Sequence, residues 1–204
     1  MNDGIRAAGG SRARSSRTAR VLGAAILVAV GVAAGAARAA DDVVLTEKGL
    51  GAIAAGTTLD LAKAAAVSDR FDAKAFEAGS EGMAMPGVAL VNQKGVRVAE
   101  AVYAGEGQPL YRITVLRKAI LNSFGHRVGD AFPDVVPEAE VEARCVAGAE
   151  EFSGAAICFE GPDSNLAVVF AGRWDGPDGT LPPASVLAGW KARALIWAAP
   201  RTGE

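Results

Sequence analysis

The sequence predicts a mainly β domain with minor α content, its antiparallel strands framed by a short N-terminal helix and a C-terminal helix. Three observations carry this. Short stretches rich in Val, Ile, Thr and Tyr alternate apolar and polar residues at period two. Glycine-bearing turns follow one another at strand-sized intervals. Helical spacing of apolar residues occurs only toward the two ends. The centre is Leu110 to Asp134, LYRITVLRKAILNSFGHRVGDAFPD, which holds the best strand, the sole histidine of the chain and a glycine-framed turn.

The first twenty residues carry Arg6, Arg12, Arg14, Arg17 and Arg20 against one acid, Asp3, and an uncharged run from Val21 to Ala37 follows. A basic region before an apolar one reads as a secretory signal peptide over residues 1–39. Ala37-Arg38-Ala39 supplies small residues at −3 and −1, so cleavage is expected between Ala39 and Ala40. The alternative, an uncleaved anchor, fits less well, because the run is Ala/Gly-rich and shorter than the roughly 20 residues of a span. The leader lacks adjacent arginines, so it shows no twin-arginine signal.

Residues 40–204 then form a single β-rich domain, expected in the periplasm and large enough to bury a core. Of 21 basic and 23 acidic residues, the leader removes six arginines and one aspartate, leaving 15 and 22 and a net charge of −7. That balance argues against nucleic acid as a partner. No apolar run in the mature chain is long enough to span a bilayer.

In chain order, Gly49, Gly51 and Gly56 punctuate the start. Thr57 or Thr58 can cap a helix with Leu59, Ala62, Ala66 and Val67 at helical spacing. Arg70 to Pro86 reads as irregular, with Phe71 and Phe76 as anchors. Val88–Val91 and Val96–Tyr103 flank Asn92-Gln93-Lys94-Gly95, which suits a hairpin built on a type I turn. Gly105 to Pro109 turns into a third strand in which Tyr111, Ile113 and Val115 alternate with Arg112, Thr114 and Leu116. Short connections make the three a meander.

A second pair is expected over Val141–Val146 and Ala155–Phe159, with Cys145 and Cys158 in its arms. In an exported chain two such thiols pair, and a structural disulfide is the expectation. A redox pair or metal ligation is the alternative, but the spacing is not C-x-x-C and His126 adds one ligand at most. Leu166 to Trp174 is nearly continuous in apolar character, as a central strand covered on both faces is. Pro182 and Pro183 open the C-terminal helix, whose stripe is Val186, Leu187, Trp190, Ala194 and Trp197.

Three places could carry chemistry. The turn Gly125 to Asp130 gathers His126, Arg127 and Asp130, a catalytic or anion-binding set in principle. It lacks a nucleophile, since nothing around Ser123 forms a G-x-S-x-G elbow. Its structural reading is a turn opened by positive-φ glycines and closed by Asp130. Asp175 and Asp178, in Asp175-Gly-Pro-Asp-Gly179, resemble part of a calcium loop without the full D-x-D-x-D-G pattern, and an ordinary turn accounts for them. Glu138, Glu140 and Glu142 alternate with apolar residues like a solvent-facing strand edge. No metal or cofactor is expected.

LTEKGLGAI, GHRVGDAF, the cysteine pair around GAEEFSG, and above all FAGRWDGPDGTLPPASVLAGWKARALIW resemble the RpoE-regulated lipoprotein family, an envelope-stress family, from Leu45 to Trp197. The resemblance implies a β-sandwich-like domain of no established activity and supplies no catalytic residues. A lipoprotein needs a cysteine directly after its apolar leader, and here the first is Cys145, so a soluble periplasmic protein is expected. The leading expectation is a non-enzymatic protein that binds or supports an envelope component, with an envelope protein as partner. The alternatives are a periplasmic hydrolase using His126 with Asp130 or Asp134, and a small inhibitor of an envelope enzyme presenting the 147–154 loop.

Overall fold

The computed structural model describes residues 43–80 and 83–200, so the leader expected over residues 1–39 lies outside the described residues. The described chain is mainly β. Three short strands, β1 (Val44–Thr46), β2 (Gly49–Leu50) and β3 (Ile53–Ala54), form an antiparallel meander, and β8 (Leu121–Asn122) joins β1 in parallel.

An eight-stranded antiparallel sheet makes up the rest. It comprises β4 (Phe71–Ser80), β5 (Met83–Asn92), β6 (Arg97–Tyr103), β7 (Leu110–Val115), β9 (Cys145–Ala147), β10 (Ala155–Phe159), β11 (Leu166–Ala171) and β12 (Lys191–Ala198). Their spatial order is β4-β5-β6-β7-β12-β11-β10-β9. The expected meander β5-β6-β7 is present, and its first turn closes as expected, Gly95 N donating to Asn92 O at 2.8 Å. Period-two alternation sends Val88, Leu90, Ile113, Val115, Val168, Phe170, Leu195 and Trp197 to one face. There they share a core with Leu45, Leu50 and Ile53 of the small sheet, a sandwich-like packing. Phe132 and Phe170 meet edge-to-face at 4.8 Å. The opposite face keeps a smaller cluster, Ala155, Val169, Ala194 and Ile196, under Phe152.

The short helices are α1 (Leu61–Ala65), α2 (Phe132–Val135), α3 (Val141–Arg144) and α4 (Ala184–Leu187). Four details differ from the sequence reading. Helix α1 is capped by Asp60, whose Oδ1 accepts from Ala62 N and Lys63 N at 3.0 and 3.1 Å, while Thr57 Oγ1 instead bonds Ala54 O at 2.6 Å. The segment read as irregular contains β4, paired with β5 over ten residues, because Phe71 and Ala73 turn to the core and Asp72 and Lys74 away from it. Val141–Arg144 and the 3-10 turn Glu138–Glu140 are helical, so the exposed glutamates sit on helical turns.

The largest difference is at the C-terminus. The helix ends after one turn, and Ala194 and Trp197 lie on β12, between β7 and β11. Trp190, Ala194 and Trp197 also fit a helical spacing, but Arg193, Leu195 and Ile196 fill a strand pattern that pairing on both edges satisfies. Trp197 is fully buried, and its Nε1 donates to Glu47 O at 2.8 Å, tying the small sheet to β12.

Tyr103 is buried at the end of β6. Burial, with the Asp60 carboxylate as the lesser cause, raises its pKa above the ordinary 10.0. The folded state then holds the proton more tightly than the unfolded one. The associated stability is complete below pH 10.0 and is lost as pH rises through the folded pKa. Tyr103→Phe is expected to remove this alkaline decline, read as unfolding midpoint against pH from 8 to about 11; an unchanged decline would show that another group causes it.

Candidate functional site

The turn after β8 is organised by one amide. Asn122 Oδ1 accepts from Phe124 N at 3.0 Å and His126 N at 2.9 Å, while Asn122 N donates to His126 O at 2.9 Å. Gly125 and Gly129 take φ of 90° and 103°, as the structural reading of this turn requires. Asp130 Oδ2 accepts from Arg127 N at 2.7 Å, and Asp130 O and Gly129 N both bond Ala192 on β12. Asp130 is therefore spent on closing the turn. Arg127 Nη1 donates to Lys118 O at 3.2 Å. Asp134 is exposed on α2.

His126 does not meet Asp130 or Asp134 but Glu160, 34 residues away. Its Nδ1 lies 2.8 Å from Glu160 Oε1. An ionised carboxylate only accepts, so this contact places the proton on Nδ1. Asn122 Nδ2 donates to the same oxygen, and Arg144 Nη2 donates to Oε2 at 3.3 Å. Arg144 also donates from Nε to Phe159 O at 2.8 Å and from Nη1 to Glu140 Oε2 at 2.9 Å. The Glu160 side chain is 1% exposed, against 21% for His126 and 15% for Arg144.

The disulfide builds this arrangement. Cys145 and Cys158 are bonded as directly opposed residues of β9 and β10. Arg144 precedes the first and Glu160 follows the second by two. The result is a clasp that ties the β8 turn, α3 and the end of β10 together. Chemically it holds an imidazole in one tautomer, with Nε2 left over. Sequence reasoning missed Glu160; the available signal was a carboxylate closing an otherwise apolar strand, AAICFE.

A separate cleft of about 310 Å³ opens at the other end of β10. Gly148, Gly154 and Ala155 form one side, Gly172, Arg173 and Trp174 follow from β11, and Asp178, Gly179 and Thr180 close it. Neither His126 nor Asp130 lines it. The two aspartates of the 175–179 loop part company: Asp178 lines the cleft, and Asp175 pairs with Arg173 at 3.3 Å with both side chains mostly in solvent. Among the described residues no group of three or more His, Cys, Asp or Glu is placed to hold a metal ion. Gly176 lies against the indole of Trp174, where any Cβ would overlap the ring. Trp174 Nε1 is buried and has no hydrogen-bond partner.

The 147–154 loop turns inward. Phe152 packs on Ala155, Val169, Ala194 and Ile196, with the guanidinium groups of Arg112 and Arg193 at 5.5 and 5.8 Å from its ring. Arg112 Nη1 donates to Glu151 Oε1, and Arg193 Nη2 to Glu151 O at 3.1 Å. Glu150 takes φ of 50°, an uncommon conformation for a non-glycine residue.

Residues 37–199 match a family described as "Protein of unknown function (DUF1131)". The chain is similar to "Uncharacterized protein YfeY" of Escherichia coli (strain K12), 29% identical over 104 residues, 51% of this chain and 53% of the relative. It thus spans about half the length of that curated relative. The crystal structure of the uncharacterized protein yfeY from Escherichia coli superposes with a TM-score of 0.61 at 23% identity, covering 76% of this chain and 99% of that one, a likeness of fold.

Proposed function

The chain belongs to the family of unknown function DUF1131, and from that premise we propose that it is a non-enzymatic periplasmic binding protein, akin to the RpoE-regulated lipoproteins, that takes an envelope component into the cleft beside Trp174. One observation carries the reading: an open, polar cleft lined by a tryptophan whose indole N–H is buried and unpaired. A buried donor without a partner is costly, and native structures keep few of them. A ligand that supplies the acceptor removes that cost.

Export is supported by the basic and apolar leader and by the disulfide, which forms and persists in oxidising compartments. Both cysteines of the sequence are joined to each other, which leaves neither to carry a lipid. Among the described residues no helix is long and apolar enough to cross a membrane. The inhibitor reading loses ground because Phe152 and Glu151 bind the 147–154 loop to the protein's own sheet. The hydrolase reading must contend with a Glu160 whose two oxygens are shared among Asn122, His126 and Arg144.

The test uses the whole chain and a Thr180→Trp variant, which fills the cleft from an exposed position. Molecules co-purifying from periplasmic extract are identified by mass spectrometry. A species retained by the native chain and lost from the variant is expected. Identical sets from both would rule out the cleft as the binding site, and steady consumption of the retained species would replace the binding reading with an enzymatic one.

A further inference from the structure

Building on the binding reading above, we infer that the ligand of the Trp174 cleft is a short zwitterionic peptide. The cleft lining carries one guanidinium, Arg173, and one carboxylate, Asp178. The Arg173 pair with Asp175 is almost wholly solvent-exposed, at 88% and 78%, and such pairs hold their partners weakly, so the guanidinium is free to exchange. Asp178 makes no side-chain hydrogen bond or ion pair to any described residue. A purely anionic or purely cationic ligand would satisfy one of the two and leave the other facing a like charge. A ligand with both an α-carboxylate and an α-ammonium satisfies both.

The walls agree with that chemistry. Gly154 has open space where a side chain would stand, so a second backbone can lie close there, while at Gly148 and Gly172 Phe152 and Trp190 already fill that position. At about 310 Å³ the cleft sits at the small end of the roughly 300–1,000 Å³ range of small-molecule sites, suited to two or three residues rather than a folded partner. The buried Nε1 of Trp174 is a donor in search of an oxygen, and a peptide offers carbonyls at every residue. Gly176 lies against the indole, where a Cβ would overlap the ring. Reaching Nε1 requires the Gly176 backbone to move off the ring, a shift within the exposed 175–179 loop.

The experiment follows the Trp174 indole N–H resonance, assigned by its loss in Trp174→Phe, as the whole chain is titrated with trialanine. N-acetyl-trialanine amide and di-N-acetylchitobiose are titrated in parallel. Saturable displacement of the resonance by trialanine is expected, at least about 10-fold weaker for the capped peptide, with a loss of about 10-fold or more in Arg173→Gln and in Asp178→Asn, the scale of one charged hydrogen bond. Equal affinity for free and capped peptide overturns the proposal, as does a response to the disaccharide alone, which leaves the cleft a binding site of another class. If no probe moves the indole while Thr180→Trp still changes the co-purifying set, the peptide class fails and the binding reading stands. If neither experiment responds, both fail.

Discussion

Glu160→Ala is expected to lower the stability of the fold by about 3 kcal/mol, the lower end of the range for removing one partner of a buried ion pair. The lower end applies because Arg144 keeps 15% of its side chain in solvent and retains Glu140 and the Phe159 carbonyl. What the substitution leaves behind decides the size. Asn122 Nδ2 loses its acceptor inside a residue that is 1% exposed, and His126 Nδ1 loses the carboxylate that fixes its proton. An unmade buried hydrogen bond costs about 1–3 kcal/mol in its own right. Glu160→Gln keeps an acceptor of the same shape and should cost less than Glu160→Ala. His126→Ala removes only a partly exposed member, and about 1 kcal/mol is expected. Urea unfolding with an unchanged m-value measures all three. A loss under about 1 kcal/mol for Glu160→Ala would mean that water replaces the carboxylate and that the clasp is not a structural centre.

The contrast between His126 and Glu160 shows how far the sequence could be read. A lone histidine in a glycine-framed turn attracts a catalytic reading, and the candidates for its partner were the aspartates nearby, Asp130 and Asp134. Local turns bring neighbours together, but Asp130 was already committed to Arg127 N and β12. The actual partner, Glu160, follows β10, a strand whose pairing with β9 was expected, but its contact with the β8 turn spans 34 residues and is set by tertiary packing.

The strands were legible for the converse reason. Val88–Val91 and Val96–Tyr103 are mostly apolar runs, Tyr111 to Val115 alternates at period two, and short turns join them, so local pattern and tertiary pairing agree. They diverge at β12, where Trp190, Ala194 and Trp197 satisfy a helical stripe by accident of spacing. Two paired edges outweigh a helix of marginal length. Asp178 was legible as a polar loop residue. Its place in a cleft with Trp174 was not, because the cleft is assembled from the ends of β10 and β11 and two separate loops.

Replacing both cysteines, Cys145→Ser with Cys158→Ser, is expected to cost about 3 kcal/mol, the chain-entropy value for closing a loop of this length, here a separation of 13 residues. The loss should not be spread evenly. β9 is an edge strand of the eight-stranded sheet and pairs with β10 at only three positions, so without the bond it is the strand of that sheet least able to stay docked. Amide exchange at Val146 and Ala147 should accelerate well before exchange in β11 and β12 does. Undocking β9 also withdraws Arg144, and with it one of the three groups that hold Glu160. The cysteine pair and Glu160 are therefore energetically coupled. Adding Glu160→Ala to the double serine variant should cost less than it does in the native chain, by at least about 0.5 kcal/mol, the smallest coupling typical of residues in one network. Strict additivity would separate the bond from the clasp. It would then leave the disulfide a staple on an edge strand and Glu160 a buried charge held by Asn122 and His126 alone.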